Sequence, residues 1–209
     1  MYAVNTYKEI EKREQQLGTN HVIALLFVRP SLPGANSILA DFTYLHHNIG
    51  DACSVYAVGY SEHAPADDAF EKVKGVKQND WYFSTQAFVS FKNKLEHRLK
   101  WKYSGDIELL LLQSNPEGKS ILNFENYLSV DINYGIKKGY IESFPRFMEV
   151  LARSAKKATT VKQAALQVQS HRFKLREMIS ETLDDCKNVP TSVRRILKDA
   201  LFFKTARGY

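Results

Sequence analysis

Cysteine is scarce in this chain of 209 residues, and the two present, Cys53 and Cys186, lie 133 positions apart. Cys53 falls in a predicted strand, so we expect two buried thiols rather than a disulfide. The longest apolar runs, residues 22–28 and 109–112, are far shorter than the ~20 residues that a membrane-spanning helix needs. Residues 1–9 lack a basic stretch followed by an apolar one, so no signal peptide is expected. These absences predict a cytoplasmic protein.

The motifs of common catalytic and cofactor sites are also missing. The sequence contains no Gly-x-Ser-x-Gly, no Gly-x-x-x-x-Gly-Lys-Ser/Thr and no Gly-x-Gly-x-x-Gly, and its six histidines show no ligand spacing. It therefore predicts no nucleophile elbow, no phosphate-binding loop, no zinc site and no cofactor.

What the chain does contain is an alternation of apolar patterns. Residues 21–28 are almost wholly apolar, which predicts a strand buried on both faces, and residues 52–59 predict a second one. Between and after them, apolar side chains recur at helical spacing. The predicted order is helix 6–17, strand 21–28, helix 36–49, strand 52–59, a polar, partly helical loop over 60–80, helix 85–100, strands 106–112 and 120–134, and helix 143–157.

From residue 21 to residue 157 this order resembles the thioredoxin-like fold. The resemblance implies an α/β domain with a three-layer mixed sheet (βαβαββα), here with an N-terminal helix and a C-terminal helical extension. Two features depart from that family. Residues 29–35, Arg-Pro-Ser-Leu-Pro-Gly-Ala, carry no Cys-x-x-Cys, and no proline stands just before Asp106, where the family keeps a cis-proline. Redox and glutathione-dependent chemistry is therefore not expected.

A second resemblance concerns short aromatic segments: Gly59 with Tyr60, Trp81 with Tyr82, and residues 101–105. They are similar to uncharacterised bacterial proteins, some of which are encoded in phage-defence loci. This resemblance implies a bacterial protein with a role in antiviral defence.

Charge is distributed unevenly along the chain. Residues 1–150 carry 16 Lys and Arg and 18 Asp and Glu, a net charge of −2, whereas residues 151–209 carry 13 and 5, a net charge of +8. Such asymmetry indicates a polyanion or an acidic protein as partner. We predict two units, a thioredoxin-like body over 1–157 and a basic helical extension over 158–209.

Two amphipathic helices are predicted in the extension. The first runs from residue 161 to about 186, and its apolar face is formed by Val161, Ala165, Val168, Leu175 and Ile179. Because such a face cannot form a core alone, we expect it to dock on a protein partner or on a second copy. The second helix, 193–204, and the residues after it carry the basic set Arg194, Arg195, Lys198, Lys204 and Arg207. This set fits a solvated helix face, an acidic protein surface or nucleic-acid phosphates.

Two further sets of residues have alternative interpretations. Asp106 and Glu108 share one face of a strand and Asp131 follows on the next, so they are either metal ligands of an enzyme or polar strand ends. The segments 81–83, Trp-Tyr-Phe, and 101–103, Trp-Lys-Tyr, flank the central helix, so they either pack in the core or stack on bases.

The interpretation we favour is a non-catalytic binding or assembly subunit of a multiprotein complex, without a transmembrane segment, that docks through its C-terminal helices. A nucleic-acid-binding protein that uses the basic helix is one alternative, and a metal-dependent enzyme is another.

Overall fold

The computed structural model describes residues 1–49, 53–65, 69–75, 79–99, 101–115, 117–118, 120–157 and 203–205. Within these ranges the elements are β1 (Tyr2–Val4), α1 (Tyr7–Leu17), β2 (Val22–Phe27), α2 (Ala35–Ala40), α3 (Phe42–Ile49), β3 (Cys53–Val58), β4 (Tyr60–Ser61), β5 (Phe70–Lys74), β6 (Asp80–Ser84), α4 (Thr85–Arg98), β7 (Glu108–Ser114), β8 (Leu122–Asp131), α5 (Ile132–Lys137), α6 (Phe144–Lys157) and β9 (Phe203–Thr205). The protein is of the mixed α/β class, as the alternating patterns predicted.

One mixed sheet has the spatial strand order β1, β3, β2, β7, β8, β9. β1, β3 and β2 run parallel, and each strand from β7 onward runs antiparallel to the one before it in that order. All six residues of β2 are buried, because the strand has hydrogen-bonded neighbours on both sides and helices pack on the sheet. This position explains the continuous apolar run of the sequence.

The helices enclose the sheet. α3 packs against α6, and α1 meets α4 where the rings of Tyr7 and Phe91 stack with their centroids 4.3 Å apart. α6 buries Phe147, Met148 and Leu151, as their helical spacing predicted. No helix in the described ranges is long and apolar enough to cross a bilayer.

The structure differs from the sequence predictions in several parts of the body. Residues 2–4 form the strand β1, which was not predicted, and β7 begins at Glu108, so that Asp106 precedes it. Residues 60–80, predicted to be a partly helical loop, instead contain the strands β4 and β5, which join β6 in a second sheet of order β4, β6, β5. β5 is exposed along nearly all its length, so backbone pairing rather than an apolar pattern defines it. The predicted helix 36–49 is two helices divided at Asp41. The predicted strand 120–134 ends at Asp131, whose side chain caps α5.

Candidate functional site

The residues predicted to form an interaction surface lie mostly outside the part of the chain that the structure describes. Lys204 is described: it lies in β9, opposite Ser129 of β8. The basic residues Arg194, Arg195, Lys198 and Arg207 and the apolar residues Val161, Ala165, Val168, Leu175 and Ile179 fall outside the described residues, and their roles stay predictions.

Strand β9 corrects one detail of the predicted extension. The sequence predicted that Phe203 and Lys204 end a helix over 193–204, whereas the structure places both in a strand that pairs antiparallel with β8. The edge of β8 offers backbone hydrogen-bond partners, and this tertiary context outweighs a local helical pattern.

Polar side chains tie the loop after β2 to two other segments. Arg29, just beyond β2, donates from Nη2 to the carbonyl oxygen of Gly105 at 3.3 Å. Asn133 of α5 donates from Nδ2 to the carbonyl oxygen of Pro33 at 3.1 Å and to the carboxylate of Asp106. These bonds join the loop, the turn before β7 and α5 at the carboxyl edge of the parallel strands. Ligands of α/β sheets commonly bind at that edge.

Tyr103 packs beside Arg29 at the same edge. Its ring lies 5.8 Å from that of Phe27 and 5.6 Å from that of Phe88, measured between centroids. Burial raises the pKa of the Tyr103 hydroxyl to about 12, although the neighbouring Arg29 guanidinium opposes the rise. The hydroxyl is therefore protonated at neutral pH and cannot act as a base there.

Glu108 is a carboxylate buried at the start of β7, with 2 % of its surface exposed. Its Oε1 accepts hydrogen bonds from the indole N–H of Trp101 at 2.8 Å and from the hydroxyl of Ser129. Its Oε2 accepts from the backbone N–H and the hydroxyl of Ser104, at 3.1 and 3.2 Å. Four donors satisfy the two oxygens of this buried side chain, so Glu108 fixes the turn before β7 and its contact with β8.

The three acids considered as metal ligands have separate structural roles. Glu108 is engaged as described, Asp106 accepts from Asn133 and from the next backbone N–H, and Asp131 accepts the N–H of Tyr134 at 2.9 Å. Across the described ranges, no three acidic, histidine or cysteine side chains are grouped so that they could hold a metal ion. The geometry therefore gives the metal-site hypothesis no support.

A second buried acid, Glu14 of α1, was missed by the sequence reasoning. It is fully buried, its Oε1 accepts the hydroxyl of Tyr56, and its Oε2 lies 2.9 Å from Nε2 of His21. The available signal was its spacing, because Glu14 follows the buried Ile10 by four residues and so shares the inward face of the helix.

His21 lies between two hydrogen-bond acceptors. Its Nδ1 is 3.0 Å from the carbonyl oxygen of Thr19, and its Nε2 faces the Glu14 carboxylate. The close Glu14 carboxylate favours the protonated, imidazolium form of His21. Burial opposes this charge, but the hydrogen bond and charge of Glu14 outweigh it and raise the pKa of His21. Burial also opposes ionisation of Glu14, and hydrogen bonds from His21 and Tyr56 outweigh it and lower the pKa of Glu14.

Ser54 gives this cluster a superficial likeness to a nucleophile and its base. Its Oγ lies 2.9 Å from Nε2 of His21. A general base must accept the serine proton, and the Glu14 carboxylate favours the form of His21 that already carries its proton. The same Nε2 also faces Glu14, whereas an orienting carboxylate would bind the opposite ring nitrogen. The cluster is a structural ion pair that holds α1 to the sheet.

The two tryptophans are core residues. Trp81 is 1 % and Trp101 0 % exposed, and the Trp101 ring lies 5.0 Å from that of Phe27 between centroids. This confirms the core-packing interpretation, because a ring without exposed surface cannot stack on a base.

A cavity of about 310 Å³ lies between the start of α1 and the first turns of α4. Its lining includes Thr6, Tyr7, Gln86, Ser90 and Lys94 and contains no acidic, histidine or cysteine side chain.

Comparisons of this chain with protein-family models, with curated proteins and with solved structures give no match.

Proposed function

We propose that this protein is a non-catalytic binding or assembly subunit, with a redox-inactive thioredoxin-like body that docks through its C-terminal extension. The order of elements supports the thioredoxin-like body: β2, α2 with α3, β3, α4, the antiparallel pair β7 and β8, and then α6. The small sheet β4–β6 is an insertion between β3 and α4.

The observation that carries the proposal is how the polar groups at the carboxyl edge of the sheet are used. Arg29, Asn133 and Glu108 bond to neighbouring segments of the fold instead of converging on a point that a substrate could occupy. Catalysis needs a nucleophile, base or metal ligand within reach of a reacting atom. This edge therefore supports a binding body better than an enzyme.

The C-terminal extension is the part proposed to dock. Residues 151–209 carry a net charge of +8 against −2 for residues 1–150, which suits an acidic protein surface. A place in a cytoplasmic complex of bacterial defence belongs to the same proposal, and it is supported by the resemblance of the segments around Tyr60, Trp81 and Trp101.

The test is to purify the tagged full-length protein from cells that produce it, with and without nuclease, and to measure its mass by light scattering. We expect a defined complex, heavier than the 24.0 kDa chain, that survives nuclease. Charge reversal at Arg194 and Arg195 to glutamate should release the partner. The matched control reverses the adjacent exposed pair Lys137 and Lys138 of the body and should keep it.

A monomer of 24.0 kDa without a co-purifying protein would contradict the proposal. A partner lost on nuclease treatment, together with binding that weakens steeply with salt, would favour the nucleic-acid-binding alternative instead.

A further inference from the structure

Strand β8 is longer than the strand that covers it. β8 spans ten residues, and β9 pairs with three of them. The paired positions are Leu128 with Thr205, Ser129 with Lys204, and Val130 with Phe203. An edge strand presents backbone N–H and C=O groups that pair with any strand of fitting register. β8 is therefore a strand-acceptor edge, and the C-terminal part of the chain occupies it.

The acceptor segment of β8 is already ordered by the body. Ser129 donates to the buried carboxylate of Glu108, and Leu128 and Val130 are held opposite residues of β7. These contacts do not involve β9, so this part of β8 is ordered whether or not β9 is bound. Pairing of a strand with β8 therefore requires little further loss of conformational entropy in β8.

The pairing of β9 with β8 of its own chain is weakly favoured. Three residue pairs supply only a few backbone hydrogen bonds, each with a modest net contribution. Residues 158–202, 45 positions, separate α6 from β9, and closing a loop of that length costs conformational entropy. These opposing contributions are similar in size, so we expect β9 to detach and rebind.

The length of this segment also lets β9 reach another molecule. Forty-five residues span up to about 150 Å when extended, and about 68 Å even as a continuous helix. A body of 157 residues has a radius of gyration of only about 15 Å. The β8 edge of a neighbouring copy is therefore within reach.

We propose that, in the assembly, β9 of each copy pairs with β8 of a second copy, so that two chains exchange their C-terminal strands. A second copy is the fitting partner because it carries the same strand and the same edge in the same register, which closes a two-fold dimer. This inference rests on the proposed assembly function.

Disulfide trapping between full-length chains tests the exchange. Leu128→Cys is placed on one chain and Thr205→Cys on another, both with Cys186→Ser. Cys53 stays, since it is buried and its burial raises the pKa of the thiol to about 12. After mixing and oxidation we expect a covalent dimer on a non-reducing gel. The control mixture combines Leu128→Cys with Lys72→Cys, an exposed position on β5. The amount of dimer should be at least ~10-fold higher in the test mixture than in this control.

Dimer at the control level, with a disulfide formed only inside a chain that carries both cysteines, would overturn the exchange. Absence of any disulfide would overturn it as well, because β9 would then not pair with β8. If Leu128→Cys misfolds, Val130→Cys with Phe203→Cys tests the same register. An oligomer by light scattering without the trapped dimer refutes the exchange alone, whereas a monomeric mass without partners refutes the assembly function too.

Discussion

Replacing His21 by leucine should remove the charge that compensates the buried carboxylate of Glu14. The two interacting atoms are 2.9 Å apart, and the exposed fractions of the side chains are 13 % for His21 and 0 % for Glu14. Breaking a buried ion pair by removing one partner costs on the order of 3–5 kcal/mol. That is a large part of a typical unfolding free energy of roughly 5–15 kcal/mol. We expect the melting temperature to fall by roughly 10 °C.

Urea unfolding followed by tryptophan fluorescence measures this loss, because Trp81 and Trp101 are buried and become exposed on unfolding. The control is the double variant Glu14→Gln/His21→Leu, which removes both charges. It should recover part of the loss, since an uncharged replacement of a buried pair leaves no uncompensated charge. A double-mutant cycle then yields the coupling energy.

The ion pair also predicts how stability depends on pH. The pKa of His21 is raised from its ordinary 6.5, so its contribution is complete below that pH and is lost as pH rises through the raised value. The pKa of Glu14 is lowered from its ordinary 4.5, so its contribution is complete above that pH and is lost as pH falls through the lowered value. The loss of unfolding free energy caused by His21→Leu should therefore be largest between pH 4.5 and pH 6.5 and smaller in alkaline solution.

Equal unfolding free energies of His21→Leu and the native protein at about pH 5.5 would contradict a stabilising ion pair. Simply additive effects of the two substitutions would contradict it as well, because two groups that form an ion pair must couple.

Three further predictions concern the body. Glu108→Gln should lower the unfolding free energy by about 2 kcal/mol, because the amide nitrogen cannot accept the hydrogen bonds that one carboxylate oxygen accepts. Urea unfolding measures this loss. Gly59→Ala should destabilise the protein more than Gly105→Ala, although both glycines have φ in the left-handed region. A Cβ added at Gly59 lies 2.7 Å from an atom of α4, whereas a Cβ at Gly105 has no atom within 4 Å. Equal melting temperatures for the two variants would contradict this. In a Cys186→Ser background, Cys53 should react with a thiol reagent only after unfolding, since its thiol is buried and the pKa is raised to about 12.

Much of the body follows from local patterns. β2 and β7 come from apolar runs that the middle of a sheet requires, and α4 and α6 come from apolar side chains at helical spacing. The bounds of α1 follow from its end signals, Thr6 with Glu9 at the start and Gly18 at the end. The second sheet does not follow in this way. β5 is exposed, so its residues carry no apolar period, and only pairing with β6 defines it as a strand.

The candidate site was less predictable than the fold. Asp106 and Glu108 were noted as acids on one strand face, but their hydrogen-bond partners decide their roles, and those partners come from α5, β8 and the turn before β7. No sequence motif indicated that Glu14 and His21 form a pair. Glu14 lies in α1 and His21 just before β2, and the two side chains come together only when α1 packs on the sheet.

The sequence alone was enough to locate the buried segments and most helices and strands. It also shows directly that no Cys-x-x-Cys follows β2 and that positive charge is in excess in the C-terminal part. In a helix or strand with a buried face, apolar side chains recur at a regular spacing, so the spacing within a segment indicates its structure and its burial. Only the tertiary structure decided which polar groups meet: Glu14 with His21 and Tyr56, Glu108 with Ser129, and β9 with β8. These contacts depend on residues brought together across the chain, and hydrogen bonding between distant groups leaves no period in the sequence.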